Sequence, residues 1–536
     1  MVTLPSELPA YRIVLQARTT STRLPAKVLL PVGGRSLAVL AAERVARNGA
    51  DVVVATSVGV EDDLLASTLA QAGLSVVRGP LENVLERFLI ATHDLSDTAI
   101  CVRLTADNPC PDADFVETLV RNFIASEARY LAYGNDAAWL PYGLSAEVFY
   151  VADLRAAAHN ADPYIQEHVT PSIRATYAPE HRLPFPDWPQ DHGHVRCTVD
   201  TLHDYLFIAS LFQNEADPVV VSYRALTSRM TELKAKPVAP LILGTAQLGL
   251  PYGVTKESGL MPATQALSVL EATKETTCGG IDTARAYGES EARIGAFLAD
   301  TKSDLPIVTK LSPIDVESGT QADIKTAVET SINGSLRALG VQALETVLLH
   351  RAAHVAAADG VIWDRLRLFQ NEGQIKRLGV SVQSPQELEA VLALPEVQHI
   401  QLPFNLLDER WTQCVSQLRT RPDVVVHVRS VFLQGLLVQP DISRWPSVEG
   451  VDAQDILHTL SRLVSDTGRD GVMDLCIAYV RAFSWVDGVV MGVDTDDQLH
   501  ELGALFAKPP LTWEEVFLVR QALPRLPERL LNPALW

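Results

Sequence analysis

Two stretches of alternating apolar and polar pattern divide the chain. Between Arg12 and Leu104, short apolar runs at Arg12 to Gln16, Asp51 to Thr56, Ser75 to Arg78 and Ala99 to Leu104 take turns with longer stretches of helical spacing near Ser36 to Asn48, Asp62 to Gln71 and Leu81 to His93. Strand and helix in alternation predict a parallel, doubly wound α/β sheet. From Leu241 the alternation starts again. Strands are expected at Leu241 to Leu243, near Gly280, Ile307 and Thr346, and at Leu378 to Ser381, His399 to Gln401, Val424 to Val428 and Gly488 to Met491. Helices are expected at Thr264 to Thr276, Ser290 to Ala299 and Thr320 to Leu339. That count closes a (β/α)8 TIM barrel. Between the two patterns lies the charged, proline-bearing stretch Thr231 to Pro240, so two domains are expected, 1–234 and 238–536.

Composition narrows the class. A chain of 536 residues with 47% apolar and 21% charged residues has material for two cores. No run of about 18 uncharged apolar residues marks a membrane span. No basic region precedes a long apolar core at the N-terminus, so no signal peptide is indicated. Six scattered cysteines, without zinc or disulfide spacing, read as reduced thiols, and a cytoplasmic location is expected. A net charge of -20 disfavours a nucleic-acid backbone as partner, because such binding rests on clustered Lys and Arg. Small acidic substrates remain open, since local arginines can hold them.

Candidate chemistry falls at strand ends. The loop after the first strand, Ala17 to Lys27, carries Arg18, Ser21, Arg23 and Lys27. Charge-assisted donors and free backbone N–H groups in such a loop suit a triphosphate. Asp107 after the fourth strand and Asp200 in Val195 to Thr201 are each expected just past a strand, so two carboxylates could share one Mg²⁺ on a nucleotide's phosphates. No Gly-x-Gly-x-x-Gly follows these strands, which leaves a dinucleotide site of that kind unsupported here. In the second half, Asp282, Lys310 and His350 each end a strand, with Tyr287 five residues after the first. A carbonyl receiving hydride needs a proton donor, and a tyrosine near pKa 10 serves near neutrality only if a cation lowers its pKa. Lys310 is that cation, Asp282 can orient it, and His350 can hydrogen-bond the developing alkoxide.

Both halves resemble known families. The Ala17 to Lys27 loop fits A-R-x-x-S-x-R-x-P-x-K, and with Asp107, Asp200 and the segment Glu167-His168-Val169-Thr170 it resembles the spore-coat-polysaccharide type of cytidylyltransferase, related to CMP-sugar-acid synthetases. This resemblance implies CTP as substrate, Mg²⁺ on Asp107 and Asp200, a sugar or sugar acid as acceptor, pyrophosphate as product, a homodimer as one option, and sugar contacts from Glu147 and Glu167. Thr20 stands where that family usually has glycine, and Ser145 where an aspartate is common. The segments GTAQLGLPYGV, GIDTARAYGESEARIG, VTKL, LLHR, LGVSVQSPQELE and LNPALW resemble the aldo-keto reductase family, a barrel that reduces carbonyls with a nicotinamide cofactor. The likeness implies Tyr287, Asp282, Lys310 and His350 as catalytic residues. It also implies Ser381, Gln401, Asn405, Ser430 and Gln434 along the nicotinamide and pyrophosphate, and Gly492 with Gln498 at the adenine end. GVDTDDQLHEL has no Lys or Arg for a 2′-phosphate, and Leu502 replaces a frequent asparagine, so NADP and NAD both stay open. The expected protein is a bifunctional enzyme of surface-polysaccharide biosynthesis. Two alternatives remain: a barrel that binds cofactor without catalysis and regulates the transferase, and an N-terminal glycosyltransferase, which would release no pyrophosphate.

Overall fold

Ile13, Val14 and Leu15 are apolar at successive positions, which suits a strand covered on both faces, and they form the buried centre of β1 (Tyr11–Gln16). The computed structural model of the chain describes residues 8–133, 139–158, 162–177, 192–213, 215–233, 238–251, 259–276, 278–317, 319–439 and 441–536. Parts of two stretches singled out in the sequence, residues 234–237 of the join and 252–258 after GTAQLGL, lie outside the described residues. The chain divides into two compact units, Met1–Lys236 and Pro237–Trp536.

In the first unit β1 pairs in parallel with β2 (Asp51–Ser57) on one side and β4 (Ile100–Thr105) on the other, and β2 pairs with β3 (Ser75–Gly79). Two further strands, β5 (Tyr130–Tyr133) and β6 (Ala146–Tyr150), complete a six-stranded sheet in the order β3-β2-β1-β4-β6-β5. The sheet is therefore mixed where a parallel one was expected: β6 runs antiparallel to both β4 and β5. These two strands are short, four and five residues, so local alternation does not reveal them. Strand order reverses between β1 and β4, and ligands of open α/β sheets bind in the crevice outside such a switch point. The loop after β1 and the turn after β4 start side by side there, with Ala106 N–H donating to Gln16 O at 3.0 Å.

In the second unit eight parallel strands close a barrel: β7 (Leu241–Gly244), β8 (Cys278–Asp282), β9 (Ile307–Lys310), β10 (Leu344–Leu349), β11 (Ile375–Ser381), β12 (His399–Pro403), β13 (Val425–Arg429) and β14 (Gly488–Gly492), with β14 returning to β7. Each expected strand is present. Helix Gln321–Leu339 starts at a capping box, in which Thr320 and Asp323 exchange side-chain and backbone hydrogen bonds, and ends at Gly340 in the left-handed region. Such a cap contributes about 1 kcal/mol. Among the described residues no helix is long and apolar enough to cross a membrane, and all six cysteines are free thiols.

Two barrel-wall histidines set a pH limit on this unit. His399 and His427 are buried with ring centroids 4.3 Å apart, and neither ring nitrogen of His399 has a hydrogen-bond partner. Burial, and then its neighbour His427, hold His399 well below the ordinary histidine value. Burial pushes His427 down to about 4, although Asp282 and Asp487 pull the other way. Both rings are neutral at pH 7. In an unfolded chain they would take up protons near pH 6.5, so the stability of the neutral rings is complete above about that pH and is lost as pH falls toward 4. The barrel's melting temperature is accordingly expected to hold steady above pH 7 and to drop between pH 6.5 and 4.5, at up to about 1.4 kcal/mol per pH unit for each ring. Calorimetry of the full chain across this range checks it, and His427→Leu should shallow the fall.

Candidate active sites

At the carboxyl end of the barrel, Asp282 closes β8 and Lys310 closes β9; the parallel register sets Asp282 beside Val308, so Lys310 stands two residues further along the neighbouring strand. Lys310 Nζ donates to Asp282 Oδ1 at 2.6 Å and to Thr283 O at 3.0 Å, while Gln401 Nε2 donates to Asp282 Oδ2 at 2.7 Å. Both partners are buried, and breaking such a pair costs about 3–5 kcal/mol because one charge is left unmatched. Lys310 Nζ also stands 5.5 Å from the centre of the Tyr287 ring. The rings of Tyr287 and His350 are 6.2 Å apart, and His350 Nδ1 lies 3.4 Å from Leu311 O. Burial, then the charge of Lys310, pushes His350 down to about 4, so at pH 7 it is a neutral ring with one donor and one acceptor. All four expected groups thus meet at one mouth.

The tyrosine is placed by backbone contact. Thr245 Oγ1 donates to Asp282 O at 2.9 Å, Ser290 Oγ donates to Thr245 Oγ1 at 2.8 Å, and Thr283 Oγ1 lies 3.0 Å from Ser290 Oγ. This buried hydroxyl cluster ties the loop after β7 to the loop that carries Tyr287. Gly249 sits so close to that loop that a Cβ on it would overlap Tyr287 O and stand 2.6 Å from Ser290 N. Glu291, buried in the first turn of the next helix, accepts from Thr309 Oγ1 at 2.7 Å and from Arg285 Nη1 at 2.9 Å, bracing the same loop against β9. Gly249 and Glu291 lie within the motifs GTAQLG and GESEARIG, but their bracing part depends on contacts that the motifs alone do not show.

The residues expected to hold a nicotinamide cofactor stand at the same end. Ser381 ends β11, Gln401 lies in β12, Asn405 and Ser430 follow β12 and β13, and Gly492 ends β14. Gln401 spends its amide N–H on Asp282. Asn405 spans two loops, donating to Ser430 O at 3.3 Å and accepting from Leu407 N at 3.0 Å. Ser430, Leu433, Gln434 and Gly435 all have positive φ. Turns into that region can gather backbone N–H groups into an anion-binding concavity, which fits a pyrophosphate. Gly492 leaves room that a Cβ would take from the Gln247 amide, and Gln498 Oε1 accepts from Asp494 N at 2.7 Å. The residues present fit such a group.

The first unit gathers its groups at the switch point. Lys27, 7% exposed, donates through Nζ to Asp107 Oδ2 at 2.7 Å and to Asp200 Oδ1 at 2.9 Å. Arg23 Nη2 reaches Asp200 Oδ1 at 2.8 Å, and Arg196 bonds Asp200 Oδ2. Burial would raise the Asp200 carboxyl, but Lys27 above all, with Arg23 and Arg196, holds it below the usual carboxylate range. Arg18 Nη2 stands 3.8 Å from Glu167 Oε1, and Ser21 Oγ accepts weakly from Leu24 N at 3.5 Å. A cation already sits between the two carboxylates, so the donor set fits a metal ion. Among the described residues, though, no group of three or more His, Cys, Asp and Glu side chains forms a metal cage. Thr20 is not among the residues of positive φ, so its position does not require glycine's freedom.

Three further residues shape this site. Asp62, fully buried, accepts from Thr19 N at 2.7 Å, Thr19 Oγ1 at 2.8 Å, Ser57 N at 3.2 Å and Ser57 Oγ at 2.5 Å, pinning the basic loop to the end of β2. Burial opposes its charge, yet these bonds hold its carboxyl below the usual range. Arg87 is 2% exposed with Nε and Nη1 unpartnered, and burial, followed by the charge of Arg18, weakens its hold on its proton. Glu147, read as a possible sugar contact, is instead buried and committed: it accepts from Tyr130 OH at 2.6 Å and Thr170 Oγ1 at 2.7 Å and pairs with Arg103. Glu167 is exposed.

Comparison with known proteins agrees with this division. The model of the aldo/keto reductase family matches residues 240–523, and the cytidylyltransferase model matches residues 12–217. An uncharacterized protein of Methanocaldococcus jannaschii is 33% identical over 218 residues, 40% of this chain and 87% of that one. A spore coat polysaccharide biosynthesis protein of Bacillus subtilis is 32% identical over 220 residues, 39% of this chain and 89% of that one. A 3-deoxy-manno-octulosonate cytidylyltransferase of Dichelobacter nodosus is 31% identical over 120 residues, 22% of this chain and 48% of that one.

Because a methyl on Gly249 must push the backbone of Tyr287 aside, Gly249→Ala is expected to lower carbonyl reduction by up to about 10²-fold, the scale of an ångström's misplacement of a reacting group. Steady-state kinetics on an aldehyde panel, beside a melting curve that shows a folded barrel, checks it.

Proposed function

We propose that this chain, which belongs to the cytidylyltransferase family in its first half and to the aldo/keto reductase family in its second, transfers CMP from CTP to a sugar acid and reduces a carbonyl with NADH or NADPH, in the making of a surface polysaccharide. The domains are taken as 1–234 and 238–536. The observation that carries the reading is that each half sets a buried lysine against carboxylates beside the carboxyl ends of its parallel strands: Lys310 with Asp282, and Lys27 with the part-exposed Asp107 after β4 and with Asp200, whose segment forms no strand. A sugar acid is favoured because one relative is named a 3-deoxy-manno-octulosonate cytidylyltransferase, and a surface polysaccharide because another is named for spore coat polysaccharide biosynthesis.

In the first half, Arg18, Arg23 and Lys27 bind and orient the triphosphate. A hydroxyl oxygen of the acceptor attacks the α-phosphorus and gives up its proton to solvent, the bond from the α-phosphorus to the oxygen bridging to the β-phosphate breaks, and pyrophosphate leaves. Asp107 and Asp200 would hold Mg²⁺, which would neutralise phosphate charge there. The chain's share is positioning and charge neutralisation. Asp107→Asn should therefore remove most pyrophosphate release from CTP and a sugar acid, and near wild-type release would sink the metal assignment.

In the second half, the nicotinamide supplies the hydride when bound. Tyr287 gives its hydroxyl proton to the carbonyl oxygen, Lys310 steadies the phenolate left behind, and Asp282 with Gln401 keeps Lys310 in place. His350, neutral, hydrogen-bonds the same oxygen without placing a second cation beside Lys310. Tyr287→Phe is expected to lower turnover by about 10²- to 10⁴-fold while nucleotide binding, read by fluorescence titration, is kept. Unchanged turnover would mean another group gives the proton.

A further inference from the structure

Lys27 is more than one donor in a phosphate loop. Its buried ammonium lies between two carboxylates delivered by separate segments, 2.7 Å from Asp107 Oδ2 and 2.9 Å from Asp200 Oδ1. The loop turns it inward at Ala26, whose φ of 56° lies in the left-handed region that residues other than glycine seldom enter. Ala26 N donates to Thr19 O at 2.8 Å and Leu29 N to Ala26 O at 2.9 Å, so both sides of that turn are tied down.

We propose that Lys27 is a stand-in cation: its ammonium holds the seat between Asp107 and Asp200 until a triphosphate arrives, so a divalent cation enters only together with the nucleotide. The proposal rests on the reading of Asp107 and Asp200 as metal ligands.

Three observations support it. Asp200 already bonds Lys27, Arg23 and Arg196, so a bare divalent ion would have to expel an ammonium and then sit among the remaining positive charges. Arg196 is shared with Asp204, 3.6 Å away, which keeps it on this side of the site. The ligand count is the second point. Mg²⁺ and Mn²⁺ want six oxygens, and the described residues offer no third carboxylate, histidine or cysteine to this pair. Phosphate oxygens and water must supply the rest. The third is competition for the lysine itself. A triphosphate is a stronger attractor for an ammonium than two carboxylates, one of which two arginines already reach. When Lys27 turns to the phosphates, the seat between the two carboxylates is vacated at the moment the nucleotide brings another cation, so the seat is not left without one. A lysine that was merely part of the scaffold would give no such exchange.

The test is Mn²⁺ binding to the full chain, read as Mn²⁺ retained with the protein on ultrafiltration, with and without CTP and against a protein-free CTP control, because CTP binds Mn²⁺ by itself. Wild type should take up Mn²⁺ weakly without CTP. K27M should bind it without nucleotide at least about tenfold more tightly, the scale expected when one nearby charge is removed, while K27R, which keeps the charge, stays at the wild-type level. D107N should lose uptake in every condition. If folded K27M binds Mn²⁺ no better than wild type while D107N abolishes uptake, the stand-in role is overturned and the metal-ligand reading survives. If D107N binds Mn²⁺ with CTP as well as wild type does, the metal-ligand reading itself fails. Should K27M not fold, the wild-type titration decides: stoichiometric Mn²⁺ binding without nucleotide at micromolar levels overturns the proposal, and uptake that begins only when CTP is added supports it.

Discussion

A carboxylate taken out of water costs several kcal/mol unless a cation comes with it, and in each half of this chain a lysine meets that requirement. Lys310 answers Asp282 in a closed arrangement, because Gln401 takes the second carboxylate oxygen and Thr283 O takes another of the lysine's protons. Nothing in that set is left to exchange. Lys27 answers two carboxylates at once, one of which two arginines also reach. The first arrangement suits a group that must stay still while a proton leaves the neighbouring tyrosine. The second suits a group that can let go.

Around each pair the fold spends its polar side chains on holding loops. The barrel mouth is tied by Thr245, Thr283 and Ser290 and braced by Glu291, and all four are buried. The basic loop of the first unit is pinned by Asp62, which takes four hydrogen bonds from Thr19 and Ser57. Buried polar groups of this kind are costly if left half satisfied, which makes them effective at specifying one loop conformation. Glu147 belongs to the same class, joining Arg103 of β4 to Tyr130 of β5 across its own strand.

Much of the architecture was legible in the sequence. Alternating strand and helix patterns, the charged join and the strand-end positions of Asp282, Lys310, His350 and Asp107 follow from periodicity and spacing, because regular elements impose their repeat on the residues that build them. The eight barrel strands and the first four strands of the N-terminal sheet could be placed that way. So could the catalytic residue types, since a hydride acceptor needs an acid and a triphosphate needs cations.

Tertiary structure decided the rest, for one physical reason: burial and partnership are properties of position, which composition does not carry. The antiparallel direction of β6, the closeness of Gly249 to Tyr287, the neutrality of His350 beside Lys310 and the commitment of Glu147 to Arg103 depend on which distant segments meet. Asp62 read from sequence is a helix start, and Lys27 is one basic residue of a loop. Only the packed sheet brings Asp62 to Thr19 and Ser57, and puts Lys27 between two carboxylates 93 positions apart in the chain (200 − 107 = 93).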